Sequence, residues 1–303
     1  MAGKYDKYYI TETIPNPLHP ETRQKNNNMP VQNTLWINDE LQGKLKGAFY
    51  LETNLVVRTT KGGPENGGKP HCHDFDEYLV FQGTDPADPF DLGGEIEFWL
   101  GGQKFNLTKS FMVYIPAGMK HCPLKHISID RPIFHFTMGP GTMYTWEGAK
   151  EKSPEFKDKS KYFIYGDKPN LKLPEFRHPI PPERALRLFY LDSEVVPGAN
   201  FYAEALWFWP RKMELKPGEI PKGSPEPHTH SFGEFIGFFG SNPKDIHDLC
   251  GEVELWINGE KNVMTNSFLA FVPAGVEHCP LVIRRIDRPI FHFTAGPSKM
   301  YTL

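Results

Sequence analysis

The stretch Pro70-His-Cys-His-Asp-Phe-Asp-Glu-Tyr-Leu-Val-Phe81 returns in the second half of the chain as Pro227-His-Thr-His-Ser-Phe-Gly-Glu-Phe-Ile-Gly-Phe238. Both read His-x-His-x3-Glu. Working outward, residues 71–145 align with residues 228–302 without a gap, with about 40 identities in roughly 75 positions. Ser110 to Leu124 recurs as Ser267 to Leu281, and Asp130 to Thr137 as Asp287 to Thr294. Upstream the match continues with small length changes: Ala48-Phe-Tyr-Leu-Glu52 pairs with Asn200-Phe-Tyr-Ala-Glu204, and residues 8–21 loosely with 162–175. One supersecondary unit has been duplicated, and the two copies are expected to share one local structure. The Lys-, Glu- and Pro-rich stretch at 147–160 breaks the apolar alternation and is expected to be a linker, giving domains over 1–150 and 151–303.

Within each copy the apolar pattern has a period of two. Glu95-Ile-Glu-Phe-Trp-Leu100, Phe111-Met-Val-Tyr-Ile115 and Pro132-Ile-Phe-His-Phe-Thr137 are short, rich in β-branched and aromatic side chains, and bounded by Gly, Pro and Asp. Half-buried strands read this way. With 27 Gly, 29 Pro and 14% aromatics in 303 residues, the composition also favours strands joined by turns. The expected class is all-β, as two tandem barrels packed side by side, one per copy. The N-terminal arm and the segment 162–182 are Pro-rich and cannot form a core alone, so each is expected to pack across the neighbouring barrel.

Lys+Arg number 34 against 37 Asp+Glu, and the net charge of −3 supplies no electrostatic reason for a nucleic acid or an anionic membrane as partner. No apolar run approaches the roughly 20 residues of a membrane-spanning helix. The opening Met1-Ala-Gly-Lys-Tyr-Asp-Lys7 lacks the apolar stretch of a signal peptide, so the expected location is cytoplasmic. There the four cysteines, Cys72, Cys122, Cys250 and Cys279, stay reduced.

On a strand, residues i and i+2 share a face, so His71 with His73, and His228 with His230, present two imidazoles to one point. Glu77 and Glu234 continue the even spacing. His121 and His278 each follow a Pro-Ala-Gly turn that swings the chain back toward the same interior. Three neutral imidazoles and one carboxylate suit divalent Fe, Mn, Ni, Co, Cu or Zn, and leave positions open if the cation is six-coordinate. A structural zinc site would close at four ligands and favour thiolates. Cys72 stands between the paired histidines, where alternation aims it away, and Thr229 replaces it in the second copy. A lone histidine is ordinarily a hydrogen-bonded core or surface residue. The same four-residue set kept twice, while nearly half of the surrounding positions differ, argues instead for up to two metal ions per chain.

These motifs resemble those of the cupin superfamily, and the duplication resembles a bicupin. The first cupin motif, Gly-x5-His-x-His-x3or4-Glu-x6-Gly, is matched by His71, His73, Glu77 and Gly83, and by His228, His230, Glu234 and Gly240. The second, Gly-x5-Pro-x-Gly-x2-His-x3-Asn, is matched by Pro116, Gly118 and His121, and by Pro273, Gly275 and His278. The resemblance implies two double-stranded β-helix (jelly-roll) barrels, with the eight His and Glu residues as metal ligands. The chain departs from the pattern where Ser110 and Ser267 replace a glycine, where Lys125 and Val282 replace the asparagine, and where Gly83 and Gly240 come one residue early.

His135 and His292 form a further duplicated pair in Ile-Phe-His-Phe-Thr. Alternation puts them opposite their Phe neighbours, inside the barrel, where they are candidate acid/base or ligand-orienting residues; the bland alternative is a structural histidine among aromatics. No Gly-x-Gly-x-x-Gly, Walker loop or Gly-x-Ser-x-Gly elbow occurs, so the metal is expected to carry the reaction. The leading expectation is a metal-dependent oxidoreductase of the dioxygenase type acting on a small organic, aromatic-compatible molecule. The alternatives are a redox-neutral lyase, decarboxylase or isomerase, and a non-catalytic small-molecule-binding bicupin. Self-association into a homo-oligomer is left open. The copies differ beside the ligands: Asp74, Asp76 and Lys120 in the first become Ser231, Gly233 and Glu277 in the second. The two sites are therefore expected to be unequal in activity, with the first the more active.

Overall fold

A computed structural model describes residues 4–12, 31–37, 45–59, 68–141, 149–166, 180–211, 213–242 and 244–302. The first half carries β1 (Tyr9–Ile10), β2 (Val31–Ile37), β3 (Tyr50–Val56), β4 (Glu77–Gly83), β5 (Asp91–Leu100), β6 (Gln103–Lys109), β7 (Phe111–Ile115), β8 (His121–Ile129) and β9 (Ile133–Gly139). The second repeats it as β10 (Phe163–Tyr165), β11 (Ala185–Leu191), β12 (Tyr202–Phe208), β13 (Glu234–Gly240), β14 (Asp248–Ile257), β15 (Glu260–Asn266), β16 (Phe268–Val272), β17 (His278–Ile286) and β18 (Ile290–Gly296). The fold is all-β in two like units, each a six-stranded sheet with a three-stranded one. The orders β10-β7-β4-β9-β3-β2 and β6-β5-β8 in one are matched by β1-β16-β13-β18-β12-β11 and β15-β14-β17 in the other. Among the described residues no helix is long and apolar enough to cross a membrane.

The arms cross over as expected. Tyr9 and Ile10 pair with Ala270 and Leu269 in the second unit, and Phe163 to Tyr165 pair with Val113 to Phe111 in the first. Each half thus supplies an edge strand to the other half's large sheet, where an uncovered row of backbone donors and acceptors would otherwise stand. The rest of both arms, and the start of the linker expected at 147–160, lie outside the described residues.

The central strands are buried on both faces. One face of β9 and β18 packs unit against unit: Phe134 lies 5.7 Å from Phe291, and Phe136 5.5 Å from Phe293. Phe49 against Phe235 at 4.3 Å and Tyr78 against Phe201 at 4.5 Å extend the contact. Rings of this kind bury roughly 150–250 Å² each, a gross gain of about 4 kcal/mol or more per ring before ordering costs. The opposite face looks into its own unit and carries Glu77, Leu79 and Phe81 on β4, and Glu234, Ile236 and Phe238 on β13. Trp99 and Trp256 fall outside both layers and are only half-buried.

The glycine that ends β4 or β13 has a steric reason. A Cβ on Gly83 would stand 1.9 Å from the Asp91 carbonyl oxygen, and one on Gly240 1.9 Å from that of Asp248. The serines that depart from the cupin pattern lock the same junction. Ser110 Oγ accepts from Gly83 N at 3.0 Å and donates to Pro89 O at 2.9 Å. Ser267 Oγ does the same with Gly240 N at 3.1 Å and Ile246 O at 3.0 Å. The Asp/Pro/Gly-rich run after Gly83 is a turn only as far as Phe90; its Asp-Leu-Gly-Gly end already belongs to β5. Gly83→Ala or Gly240→Ala is expected to destabilise the chain by about 3 kcal/mol through backbone overlap, read as a lower urea midpoint.

Candidate metal centres

The histidine pairs do not sit on regular strand, as strand alternation alone predicted: β4 and β13 begin only at Glu77 and Glu234. Two backbone clamps take the place of the ladder. His71 N donates to His121 O at 3.1 Å and His121 N to His71 O at 2.9 Å, while Gly118 N donates to His73 O at 2.8 Å. The second unit repeats this with His228 and His278 at 3.0 Å each way, and Gly275 N to His230 O at 2.8 Å. Gly118 and Gly275 hold φ of 83° and 74°, the left-handed conformation that favours glycine in a Pro-Ala-Gly turn.

The result is two congruent clusters. In the first, ring centroids are 5.0 Å apart for His71–His73, 4.3 Å for His71–His121 and 5.1 Å for His73–His121. In the second, the matching separations are 4.8, 4.3 and 5.0 Å. Glu77 Oε2 lies 2.9 Å from His121 Nε2 and 3.6 Å from His73 Nε2; Glu234 Oε2 lies 3.0 Å from His278 Nε2 and 3.5 Å from His230 Nε2. The three histidines and the glutamate of each motif are thus neighbours.

Backbone carbonyls select the tautomer. Nδ1 of His71 faces Lys69 O at 2.6 Å, and that of His121 faces Met119 O at 3.1 Å. In the second unit, Nδ1 of His228 faces Glu226 O at 2.7 Å, that of His230 faces Thr302 O at 2.6 Å, and that of His278 faces Val276 O at 3.4 Å. A neutral imidazole that donates from Nδ1 keeps a lone pair on Nε2, so these rings turn lone pairs toward the carboxylate. Glu77 Oε2, His121 Nε2 and His230 Nε2 are buried with no hydrogen bond made. With the rings neutral, acceptors converge with no proton between them, which a cation satisfies, and the set fits a divalent transition metal.

The carboxylates are charged. Glu77 is 1% exposed, and burial alone would raise its pKa, but in the metal-free cluster the charge and hydrogen bond of a protonated His121, with His73 and His71 behind it, outweigh burial and hold the carboxyl at about 2. Glu234 is likewise pushed below the usual carboxylate range by His230 and His278 against the effect of burial. Burial lowers the pKa of His71, helped by the neighbouring His121, and lowers that of His228, so both favour the neutral, ligating form.

His135 and His292 are on the inward face, beyond the glutamates. His135 stacks on Phe81 at 4.0 Å, its Nδ1 meets Val80 O at 3.1 Å, and its Nε2 meets Thr137 Oγ1 at 3.2 Å. His292 stacks on Phe238 at 4.2 Å with Nδ1 2.9 Å from Gly237 O. Thr294, two residues on, donates to Glu234 Oε1 at 2.9 Å and so aims the other carboxylate oxygen at the histidines.

Three features escaped the sequence reading. Cys279 brings its sulfur within 4.8 Å of the donor nitrogens of His228 and His278, through a backbone φ of 75° that no alternation rule anticipates. Tyr301 sets its hydroxyl 3.1 Å from His228 Nε2. Glu204 is wholly buried, held by Tyr202 Oη at 2.9 Å and by the Arg187 guanidinium. The charges expected to distinguish the first site are engaged elsewhere: Asp76 accepts from Ala117 N at 2.9 Å, and Lys120 pairs with Glu151.

No family model matches the chain, and no curated protein matches it in sequence. Solved structures do. A variant of the oxalate decarboxylase of Bacillus subtilis is 12% identical with a TM-score of 0.50, over 93% of this chain and 81% of that one. The oxalate decarboxylase of Lactobacillus farciminis, in a formate complex, is 13% identical with a TM-score of 0.50, over 88% and 81%. The coconut allergen cocosin is 8% identical at the same TM-score of 0.50, over 88% and 81%. The chain has the bicupin fold, with two candidate divalent-metal centres of the His/Glu kind that suits a metal-dependent enzyme.

Two outcomes are expected. Elemental analysis of protein reconstituted with Mn(II) or Fe(II) gives about two ions per chain, and His73→Ala or His230→Ala removes about one by weakening its centre at least 10–100-fold. Acidification acts in one direction. Below the ordinary histidine value of 6.5 the unfolded imidazoles bind protons that His71 and His228 resist in the fold, so chelator-treated protein loses stability. A further loss follows as pH falls from 4.5 to about 2 and Glu77 protonates, both seen as lower melting temperatures.

Proposed function

We propose that the chain is a metal-dependent enzyme of the redox-neutral lyase or decarboxylase type, acting on a small organic acid, with each pair of sheets closing as a barrel around its centre. The observation that carries the proposal is the pair of buried carboxylates, each about 3 Å from an imidazole lone pair and preserved in both copies. A divalent cation held by His71, His73, Glu77 and His121, or by His228, His230, Glu234 and His278, supplies Lewis acidity to a bound oxygen ligand and stabilises negative charge on it. The chain's own contribution is orientation. Backbone carbonyls hold the imidazoles by Nδ1, and Thr294 holds the carboxylate of Glu234. His135 and His292 act as positioning residues: they stack against Phe81 and Phe238 and brace the strand that carries Thr137 and Thr294.

Two considerations favour this chemistry over a dioxygenase. The fold is shared with oxalate decarboxylases from two bacteria. The aromatic residues that pointed to an apolar substrate wall are engaged with one another: Phe81 packs on Phe111 at 5.1 Å and Phe238 on Phe268 at 5.4 Å. Among the inward groups of the second unit, Arg187, Glu204 and Tyr202 are polar and suit an oxygen-rich ligand.

The test is a panel of oxalate and other small dicarboxylic acids offered to the Mn(II)- and Fe(II)-loaded protein, with carbon dioxide and oxygen monitored together. Carbon dioxide release without stoichiometric oxygen uptake is expected, abolished by chelation. Stoichiometric oxygen uptake would overturn the reading in favour of a dioxygenase, and no turnover with tight retention of a small molecule in favour of a binding protein. The two centres are expected to contribute unequally, so Glu77→Ala and Glu234→Ala, each folded, should differ in residual activity by about tenfold or more. Equal losses of about half would refute the inequality.

A further inference from the structure

We propose that the Tyr301 hydroxyl is a fifth donor of the second metal centre, delivered by the C-terminal segment 296–302. The proposal rests on the four-donor reading of that centre and adds to it a phenol oxygen that neither the cupin motifs nor the strand pattern supplies.

The geometry is that of one coordination shell. His228 commits Nδ1 to Glu226 O at 2.7 Å, so the nitrogen turned toward the centre is Nε2, and Tyr301 Oη lies 3.1 Å from it. A cation with bonds of about 2.1 Å at near right angles keeps adjacent donors about 3 Å apart. The His278–Glu234 edge is 3.0 Å and the His230–Glu234 edge 3.5 Å, and the His228–Tyr301 separation falls between them.

The segment is built into the centre. Ser193 N donates to Lys299 O at 2.8 Å, and Ser298 Oγ to Met300 O at 2.7 Å. The carbonyl of Thr302, next to Tyr301, is the acceptor that orients His230 through Nδ1 at 2.6 Å. Tyr301 itself is 8% exposed, its ring 4.7 Å from His230 and 4.9 Å from Tyr202. One short stretch therefore aligns a ligand through its backbone and presents a donor through its side chain. Without a cation the hydroxyl is a hydrogen-bond partner of His228 Nε2, and a cation bound at Nε2 would meet the phenol oxygen in the same place.

The chemical consequence concerns both metal choice and access. A second oxygen donor moves the centre toward the harder cations, Fe and Mn, and away from those that prefer nitrogen and sulfur. Five protein donors leave a six-coordinate cation one open position rather than two. A bidentate substrate then has to displace Tyr301. The triplet Met143-Tyr144-Thr145 repeats Met300-Tyr301-Thr302, but lies outside the described residues.

The test isolates the second centre in Glu77→Ala, loads it with Fe(II) and oxidises it to Fe(III). Ferric iron bound by a phenolate shows a visible charge-transfer band that imidazole and carboxylate ligands do not produce. The expected result is about one iron per chain with the band present. In Glu77→Ala/Tyr301→Phe the iron should remain, the band should be lost and Fe(II) affinity should be about tenfold weaker. Iron bound without the band, or a band that survives Tyr301→Phe, overturns the assignment of Tyr301 and leaves the four-donor centre standing. Absence of iron from a folded Glu77→Ala chain removes the centre and the proposal together. Should Glu77→Ala not fold, Tyr301→Phe in the otherwise unaltered chain reads the same band, which must fall by about half or more.

Discussion

Two carboxylates, Glu77 and Glu234, are buried about 3 Å from imidazole nitrogens, and the rest of the structure answers to that arrangement. A buried anion surrounded by neutral acceptors costs several kcal/mol unless a cation joins it. The fold meets the cost by rigidity. The His71–His121 and His228–His278 bridges, the Gly118 and Gly275 turns, and carbonyls aligned on Nδ1 leave the rings little freedom to turn away. Such a cluster is poorly satisfied when empty and well matched to a metal, which is how a binding site differs from a structural hydrogen-bond network.

Rigidity at the centres depends in turn on packing at a distance. The strands that carry the glutamates are pressed on their other face by aromatic rings from the partner unit, and one hydrophobic core runs through both units. Short strands exchanged between the halves close the large sheets at their edges. The second unit keeps an apolar cluster of its own around Ile236, Phe238 and Leu255, but neither unit supplies its own complete large sheet, so the duplication has become one joined structure with two interiors. The inner face carries apolar packing together with Arg187, Glu204, Tyr202 and the candidate ligands.

The two interiors have diverged where the differences are least visible in an alignment. Asp76 and Lys120, the conspicuous charge changes, serve a turn and a surface ion pair. The inward positions carry the chemical contrast. His126, half-buried in the first unit with its pKa lowered to about 4 by desolvation, is Ile283 in the second. A duplicated metal site can keep all of its ligands and still come to handle two ligands, or one ligand at two rates, through changes of this kind.

The sequence by itself determined the duplication, the all-β class and the eight candidate ligands. Period-two alternation is a local property of the chain, and metal chemistry restricts donors to a few residue types at recognisable spacing. It also foretold that the arms would cross, because segments too small to bury themselves must borrow a surface. Tertiary structure decided the rest. The histidine tautomers depend on backbone carbonyls, which every residue carries and no motif distinguishes. The serine that replaces a motif glycine is explained only when Ser110 and Gly83, 27 residues apart, are seen to meet. Tyr301 comes to His228 across 73 residues, a contact made by the path of a terminal segment and by nothing in its local sequence.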